Sequence, residues 1–270
     1  MNNKKKAILV VSFGTSYENA LKNSIEATEN AIKEAFPAYE VRRAFTSNMI
    51  IRKLKNRDNY YVDTVHEALN KLHEEGYEEV YVQPLHIIFG EEYDKIKDAV
   101  SSIKELNYFK VLELSTPLLY KNEDYINAFE ALRKDIAGYG VEEGIVLMAH
   151  GTAHQANACY FQLQTVAQNR GSGNVHIATV EGYPTIEEII PLLKSKNYKK
   201  LNLIPFMLVC GDHATNDMAS EEEDSWKSIL EGQGFEVNCV LKGIGESKNF
   251  QQLYVNLLRN AITEAASRNK

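Results

Sequence analysis

Three residues able to bind a metal follow apolar stretches in the second half of the chain. His150 ends the run GIVLMA, Glu181 follows VHIATV, and His213 lies shortly after LNLIPF. Gly151 allows a sharp turn directly after the first run, so we expect His150 at the carboxyl end of a strand. Ligands of open α/β sheets bind at that edge. Two imidazoles and a carboxylate there would form a divalent metal site with open coordination positions.

Each of these residues also has an ordinary alternative role. Glu181 could cap a helix that starts near Thr185, and His213 could be merely exposed in its polar loop. His150 and His154 have the spacing of a zinc-protease helix, but Gly151 occupies the place of the required glutamate. Taken together, the three strand-end positions favour the metal site.

Cys210 is a further soft ligand close to His213. A thiol at the end of an apolar strand is more often part of the core. We therefore do not include Cys210 among the predicted ligands.

An internal repeat indicates how these residues are positioned. ILVVSFGTS (residues 8–16) resembles IVLMAHGTA (residues 145–153), and YEEVYVQPLHIIFGEE (residues 77–92) resembles YKKLNLIPFMLVCGDH (residues 198–213). Two matches in the same order indicate a repeat. Strands and helices alternate in both halves, which predicts two similar α/β domains, each a parallel sheet flanked by helices. We expect the active site in the cleft between them.

The predicted strands and helices follow from apolar periodicity and from Gly and Pro positions. The predicted strands cover residues 7–11, 40–45, 80–84, 111–114, 145–148, 175–180, 201–204 and 236–241. The predicted helices cover residues 17–36, 62–75, 93–104, 124–136, 159–167, 185–194, 221–230 and 249–265. The corresponding division of the chain is 1–118, a connecting helix region 119–143, a second half 144–243 and a C-terminal helix region 244–270 that packs back on the domains.

The polar residues do not repeat. His150 aligns with Phe13, and His213 aligns with Glu92. A third, weaker match of VHIATVE with VRRAFTS aligns Glu181 with Ser47. The metal site is therefore expected in the second half alone.

Composition restricts the function classes. The 270 residues are 44% hydrophobic and 25% charged, as in globular proteins. A net charge of -7 argues against nucleic acid or an anionic membrane as the main partner. No apolar run reaches the length of a spanning helix, and the opening MNNKKKAILVV is too short for a signal peptide. Three scattered cysteines suit a reducing cytoplasm, and the common nucleotide-binding motifs are absent, so no nucleotide cofactor is expected.

Several longer segments carry a resemblance to a known family. They are SFGTS, AFTSNMIIRKL, LHIIFGEEYDKI, MAHGT, VEGYP and PFMLVCGDHATNDMASEEEDSWK. These segments resemble the anaerobic cobalt chelatases of the CbiK type, and GDHATNDMAS is the most specific of them. The resemblance implies a class II chelatase, which inserts a divalent metal into sirohydrochlorin. It also implies two Rossmann-like, chelatase-like domains and a cytoplasmic role in cobalamin synthesis.

The resemblance further implies roles for individual residues. His150, Glu181 and His213 would bind the metal, and Glu92 would assist from the opposing domain. Apart from the resemblance, we expect His150 to accept a proton as well, because the pKa of an imidazole lies near neutral pH. The implied product is cobalt-sirohydrochlorin, with two protons released and no cofactor beyond the Co(II) substrate. The substrate is sirohydrochlorin or an oxidised precursor form.

We expect the first half to bind the macrocycle. The predicted contacts are Ser12, Phe13, Gly14, Thr15, Glu92 and Arg52. Arg52 belongs to a basic region around apolar Met49–Ile51, which suits a flat molecule rimmed by carboxylates. The other basic residues of this region are Arg42, Arg43, Lys53, Lys55 and Arg57. A solvated helix face stays the alternative for Lys55 and Arg57.

Three functions stay open on the sequence alone. The first is cobalt insertion, and the second is insertion of nickel or iron into a related tetrapyrrole. The third is a non-catalytic tetrapyrrole or metal carrier. The same ligands bind several divalent metals, so residue types do not select among them. A homo-oligomer is also left open.

Overall fold

The computed structural model describes residues 5–268, which divide into two compact units. The first unit ends at Tyr120 and resumes at Gln251, and the second unit is Lys121–Phe250. Within residues 5–268, no helix combines the length and the apolar character needed to cross a bilayer.

The first unit is built on a five-stranded parallel sheet with the order β3-β2-β1-β4-β5. Its strands are β1 (Lys6–Ser12), β2 (Glu40–Phe45), β3 (Asp63–Thr64), β4 (Glu79–Pro84) and β5 (Val111–Leu114). Every residue of β1 from Ala7 to Ser12 is buried, as expected for a parallel strand covered on both faces. One of these faces packs its Ala, Leu and Val side chains against two helices to form a core.

The helices of the first unit connect successive strands or follow the last one. They are α1 (Glu18–Ala20), α2 (Ala27–Ala35), α3 (Asn48–Asp58), α4 (Val65–Glu74), α5 (Glu91–Glu105) and α10 (Lys248–Arg268), which begins at the end of the second unit. A π-helical segment, Leu21–Glu26, joins α1 to α2.

The second unit has a four-stranded parallel sheet with the order β7-β6-β8-β9. Its strands are β6 (Gly144–Ala149), β7 (Val175–Thr179), β8 (Lys200–Pro205) and β9 (Glu236–Cys239), and its helices are α6 (Asn122–Asp135), α7 (Ala158–Asn169), α8 (Ile186–Ser195) and α9 (Trp226–Gly232). β6 is buried along its whole length, and apolar side chains of α8 and α9 pack on this sheet. The predicted α/β fold of two parallel sheets flanked by helices is confirmed.

The two sheets share one hydrogen-bond register. Val11 of β1 lies opposite Pro84 of β4, and Met148 of β6 lies opposite Pro205 of β8. These are the residues that the sequence repeat aligns. The repeat therefore extends to the pairing of the strands.

The register continues past the strand ends. Ser47 N donates to Phe13 O at 3.3 Å in the first unit, and Glu181 N donates to His150 O at 2.7 Å in the second. Equivalent backbone hydrogen bonds thus place Ser47 and Glu181 at corresponding positions, as the weak third match predicts.

Two elements of the first unit have no counterpart among the predicted elements. α3 is capped by the side chain of Ser47, which accepts a hydrogen bond from Ile50 N, and its C-cap residue, Asn59, is in the left-handed conformation. The helix exposes most of its polar residues and buries only Ile50 and Leu54, so its apolar period is weak. β3 is only two residues long, too short to give an alternating pattern.

The predicted start of the helix at residue 221 is wrong. α9 begins at Trp226, because Ser225 is its N-cap and accepts a hydrogen bond from Ser228 N. The acidic residues that precede Ser225 lie in an irregular, exposed segment. Their composition favours a helix, but the cap decides where the helix starts.

Candidate metal centre

His150 directly follows β6 at the carboxyl edge of the second sheet. Its side chain is 48% exposed, and its Nδ1 atom lies 2.9 Å from the carbonyl oxygen of Gly151. A carbonyl oxygen can only accept, so Nδ1 carries the proton and donates. The lone pair of neutral His150 is therefore on Nε2, which is free to bind a metal.

The turn after His150 requires glycine at position 151. Gly151 has φ +78, and a Cβ atom there would lie 2.6 Å from Gly182 N and 2.7 Å from Thr179 Cβ. Asn157 joins the same two loops, since its Oδ1 accepts from Thr152 N and its Nδ2 donates to Tyr183 O. Close packing and these two hydrogen bonds hold the loop of His150 against the loop after β7.

Glu181 lies in that second loop, beyond the end of β7. Its backbone N–H bonds to His150 O, and its Oε2 atom lies 3.8 Å from His150 Nδ1. The Glu181 side chain is 59% exposed, so its carboxylate is hydrated rather than part of the core. The N-cap residue of α8 is Thr185 rather than Glu181.

His213 begins a π-helical segment, His213–Met218, after β8. Its Nδ1 atom lies 2.5 Å from Asp217 Oδ2. Because a carboxylate oxygen accepts, Nδ1 of His213 is also the protonated nitrogen. Nε2 of His213 is then the available ligand atom, and Asp217 fixes the orientation of the ring.

The three predicted ligands converge within the second unit. One ligand atom from each of His150, Glu181 and His213 lies within 4.8 Å of the others. The two imidazole rings are nearly perpendicular, with centroids 4.9 Å apart. Three donors on one exposed edge leave room for water or a second ligand on the metal, as in sites that exchange their ligands. No other group of three His, Cys, Asp or Glu side chains in the described part of the chain meets this criterion.

The residues considered as alternative ligands have other roles. His154 is the N-cap of a 3-10 turn, Gln155–Asn157, and its Nδ1 atom accepts from Ala156 N at 3.1 Å. Cys210 is half-buried, and burial raises the pKa of its thiol. A thiol is a poor ligand until it loses its proton. Neither residue belongs to the cluster.

The predicted substrate-binding segment follows β1 in the first unit. Ser12 and Thr15 are buried, whereas the ring of Phe13 is 44% exposed. Gly14 has φ +95, and a Cβ atom there would lie 2.6 Å from the ring of Phe45. The ring of Phe13 therefore projects towards solvent from a tightly packed turn.

Glu92 lies in the first turn of α5 and forms an ion pair with Lys95. Burial raises the pKa of this carboxyl group, but Lys95 and Thr46 more than offset that effect and lower it below its usual value. Glu92 is thus ionised at neutral pH and able to accept a proton.

The basic region is more fragmented than its sequence suggests. Arg42 pairs with Glu40 and Glu75, and Arg57 pairs with Asp58. The guanidinium of Arg43 is largely buried and forms ion pairs with Glu29 and Glu26. Arg52 and Lys53, which lie side by side on α3, are exposed.

The family of the chain follows from its similarity to known sequences. The profile of the family described as cobalt chelatase (CbiK) matches residues 6–263. The chain belongs to the cobalt chelatase (CbiK) family. It is 40% identical over 261 residues to the sirohydrochlorin cobaltochelatase of Salmonella typhimurium, covering 97% of this chain and 98% of that protein. It is 34% identical over 260 residues to the sirohydrochlorin cobaltochelatase CbiKC of Nitratidesulfovibrio vulgaris, covering 96% of this chain and 91% of that protein.

Solved structures show the same fold at much lower identity. This CbiK-family chain superposes on SirB from Bacillus subtilis with Fe3+ with a TM-score of 0.68 and 14% identity, covering 98% of this chain and 97% of SirB. CbiX, described as the terminal enzyme for biosynthesis of siroheme in denitrifying bacteria, gives a TM-score of 0.55 with 14% identity, covering 95% and 99% of the two chains.

Two residues around the candidate centre of this CbiK-family chain were not predicted from its sequence. Asp217 supports His213 from the same π-helical segment, and Asn157 bridges the loops of His150 and Glu181. A His–Asp spacing of four residues is visible in HATNDM and is a usable signal once His213 is suspected as a ligand. Asn157 gives no such signal, because its partners are backbone atoms of two separate loops.

Proposed function

We propose that this CbiK-family chain inserts Co(II) into sirohydrochlorin, releases two protons and needs no nucleotide. The observation that carries the proposal is the convergence of His150, Glu181 and His213. The two relatives described above, each matched over almost its full length, are named sirohydrochlorin cobaltochelatases. The proposal includes a cytoplasmic location, which the three free cysteines support.

The ligand set suits a metal that must be passed on. Neutral imidazole and carboxylate bind Co(II), and an exposed site with three protein ligands lets other ligands enter and leave. Gly151 O and Asp217 each hold one histidine Nδ1, so both rings can present Nε2 to the ion without reorientation. Rigid donors on an open edge would hold the ion while the macrocycle nitrogens replace the protein ligands.

His150 can act as proton acceptor only as the metal leaves. Its Nδ1–H is engaged with Gly151 O, so Nε2 is the atom that can bind either the metal or a proton. Transfer of the ion to the macrocycle would free this lone pair at the moment when a pyrrole N–H must be deprotonated. Glu92, kept ionised by Lys95 and Thr46, is the proposed second acceptor.

The first unit supplies the proposed macrocycle contacts. The exposed ring of Phe13 offers a face for a flat conjugated ligand, and the turn Ser12–Thr15 brings backbone polar groups beside it. Arg52 is positioned on the exposed side of α3, where it can pair with a peripheral carboxylate.

The test is metal insertion by the purified chain. Sirohydrochlorin is mixed with Co(II), Ni(II) or Fe(II), and the absorption change is followed with and without protein. We expect Co(II) to be inserted faster than in the protein-free control. Faster insertion of nickel or iron than of cobalt would assign a different metal, whereas binding without any rate increase would indicate a carrier.

A further inference from the structure

The carboxyl edge of the first sheet contains buried polar atoms without hydrogen-bond partners. Within residues 5–268, these atoms include both ring nitrogens of His86, Oγ1 of Thr46 and Oε2 of Glu92. Thr46 follows β2, His86 follows β4 and Glu92 lies in the first turn of α5. Leaving a buried polar group unpaired costs about 1–3 kcal/mol. Such a group of atoms calls for an explanation, which a bound water or a functional role can give.

Thr46 and His86 both act electrostatically on one carboxyl group, that of Glu92. Burial raises the pKa of Glu92, whereas Lys95, Thr46 and His86 lower it, and the net pKa is below the usual value. Burial lowers the pKa of His86 to about 4, and the charge of Glu92 acts in the opposite direction. Thr46 adjoins Glu92 but does not reach good hydrogen-bond geometry. His86 is thus a neutral imidazole beside an ionised carboxylate.

The backbone around His86 is fixed on both sides. Leu85 N donates to Val11 O at 2.7 Å, and Leu85 O accepts from the hydroxyl of Tyr254 at 2.9 Å. His86 O accepts from Leu118 N at 3.0 Å. These bonds hold the ring at a defined place on the sheet edge, as a residue that orients another group requires.

The repeat shows why Glu92 needs such support. Glu92 corresponds to His213, which Asp217 orients from one turn further along. The position corresponding to Asp217 is Ile96, which is fully buried in the apolar core and can orient nothing polar. His86 in turn corresponds to Met207. The first unit therefore has an imidazole where the second has a thioether, beside the group that lacks an Asp217 equivalent.

We propose that His86 is a positioning residue for Glu92. A neutral imidazole has one N–H donor and one acceptor nitrogen. The donor holds the buried Oε2 of Glu92 through one water, so that the other oxygen, Oε1, faces the proton that the carboxylate accepts. His86 itself forms and breaks no bond. The inference rests on the proposed function, because it assumes that Glu92 accepts a proton during cobalt insertion.

The test uses substitutions at His86 alone and combined with Glu92→Gln. His86→Met reproduces the residue found at the equivalent position, and His86→Asn and His86→Gln each keep an amide near one of the two ring nitrogens. We expect His86→Met to lower kcat about 10-fold, which is less than the roughly 10²–10⁴-fold contributed by a group that itself transfers the proton, with the cobalt Kd unchanged. At least one amide variant should recover most of the rate. In the Glu92→Gln background, His86→Met should cause no further loss.

The outcomes separate this inference from the proposed function. Equal losses from His86→Met in both backgrounds, or two amide variants no better than Met, would overturn the positioning role. An unchanged kcat for Glu92→Gln would instead remove the role of Glu92. His176→Met is the matched control, because His176 is also buried with a low pKa but belongs to β7 of the second unit. If His86→Met does not fold, His86→Asn and His86→Gln are compared with the wild type in kcat and in cobalt Kd. A kcat well below the wild-type value in both amide variants would then overturn the proposal.

Discussion

His213 and Asp217 are neighbours on one π-helical turn, with Nδ1 and Oδ2 2.5 Å apart. Because a carboxylate behind a ligand histidine fixes its tautomer and orientation, Asp217→Asn should weaken cobalt binding by about 10–100-fold. Titration of the protein with Co(II), followed by its absorption, measures the change. Asp224→Asn removes an exposed acid from the segment between Met218 and α9 and should bind cobalt like the wild type. Equal affinity for the Asp217 and Asp224 variants would contradict this role.

The ligand set itself makes a graded prediction. His150→Ala and His213→Ala should each abolish detectable cobalt binding and leave the thermal unfolding temperature within a few degrees, because both side chains are partly exposed. Glu181→Gln retains an oxygen ligand without its charge, so partial activity at raised cobalt is expected. His154→Ala serves as the control, since His154 caps a turn outside the cluster. If both histidine variants insert cobalt at the wild-type rate, another ligand set must be sought.

Gly151 offers a test of how closely the two ligand loops must pack. Gly151 and Gly171 both have positive φ, but a Cβ at Gly171 would meet no atom within 4 Å. Gly171→Ala should therefore cost only the backbone strain, about 1 kcal/mol. Gly151→Ala should cost more and also lose cobalt affinity, because the loop must move away from Gly182. Urea unfolding and Co(II) titration of the two variants give the comparison, and equal behaviour would show that the loops tolerate separation.

Arg52 and Lys53 are the exposed pair predicted to attract the substrate carboxylates. Arg52→Glu or Lys53→Glu should weaken sirohydrochlorin binding several-fold at low salt and leave the cobalt Kd unchanged. Lys33→Glu, on the exposed side of α2, makes the same change in net charge and controls for long-range attraction. Binding is measured by fluorescence quenching at two salt concentrations. If affinity is unchanged at moderate salt, the pair is a solvated surface.

His176 makes the stability depend on pH. Burial lowers its pKa to about 4, below the usual value of 6.5, so the unfolded chain binds more protons between these pH values. Stability is then fully present above pH 6.5 and is lost as the pH falls towards 4, by roughly 3 kcal/mol for this group. His176→Leu should reduce the difference in unfolding free energy between pH 7 and pH 4.5. His66→Gln, at an exposed position, should leave that difference intact, and equal slopes for the two variants would count against the prediction.

The sequence predicted the features that apolar periodicity and repeated letters encode. β2 and β5 were predicted to the residue, because each is bounded by polar or turn residues. The convergence of His150 and His213 could be predicted since both follow strands of one parallel sheet. α3 was missed because only two of its residues are buried. Asp217 and His86 were missed for another reason: their roles depend on which atoms they face, and spacing along the chain does not specify that.

The shared register of the two sheets bears on how such a chain can evolve. A duplicated half inherits a backbone that already presents three residues at one sheet edge, at the positions of Phe13, Ser47 and Glu92 in one copy and of His150, Glu181 and His213 in the other. Point substitutions at these places, with no rearrangement of strands, are enough to give one copy the proposed metal-binding edge. The other copy is then free to diverge towards an organic ligand, while mutations that shift the common register would be selected against in both.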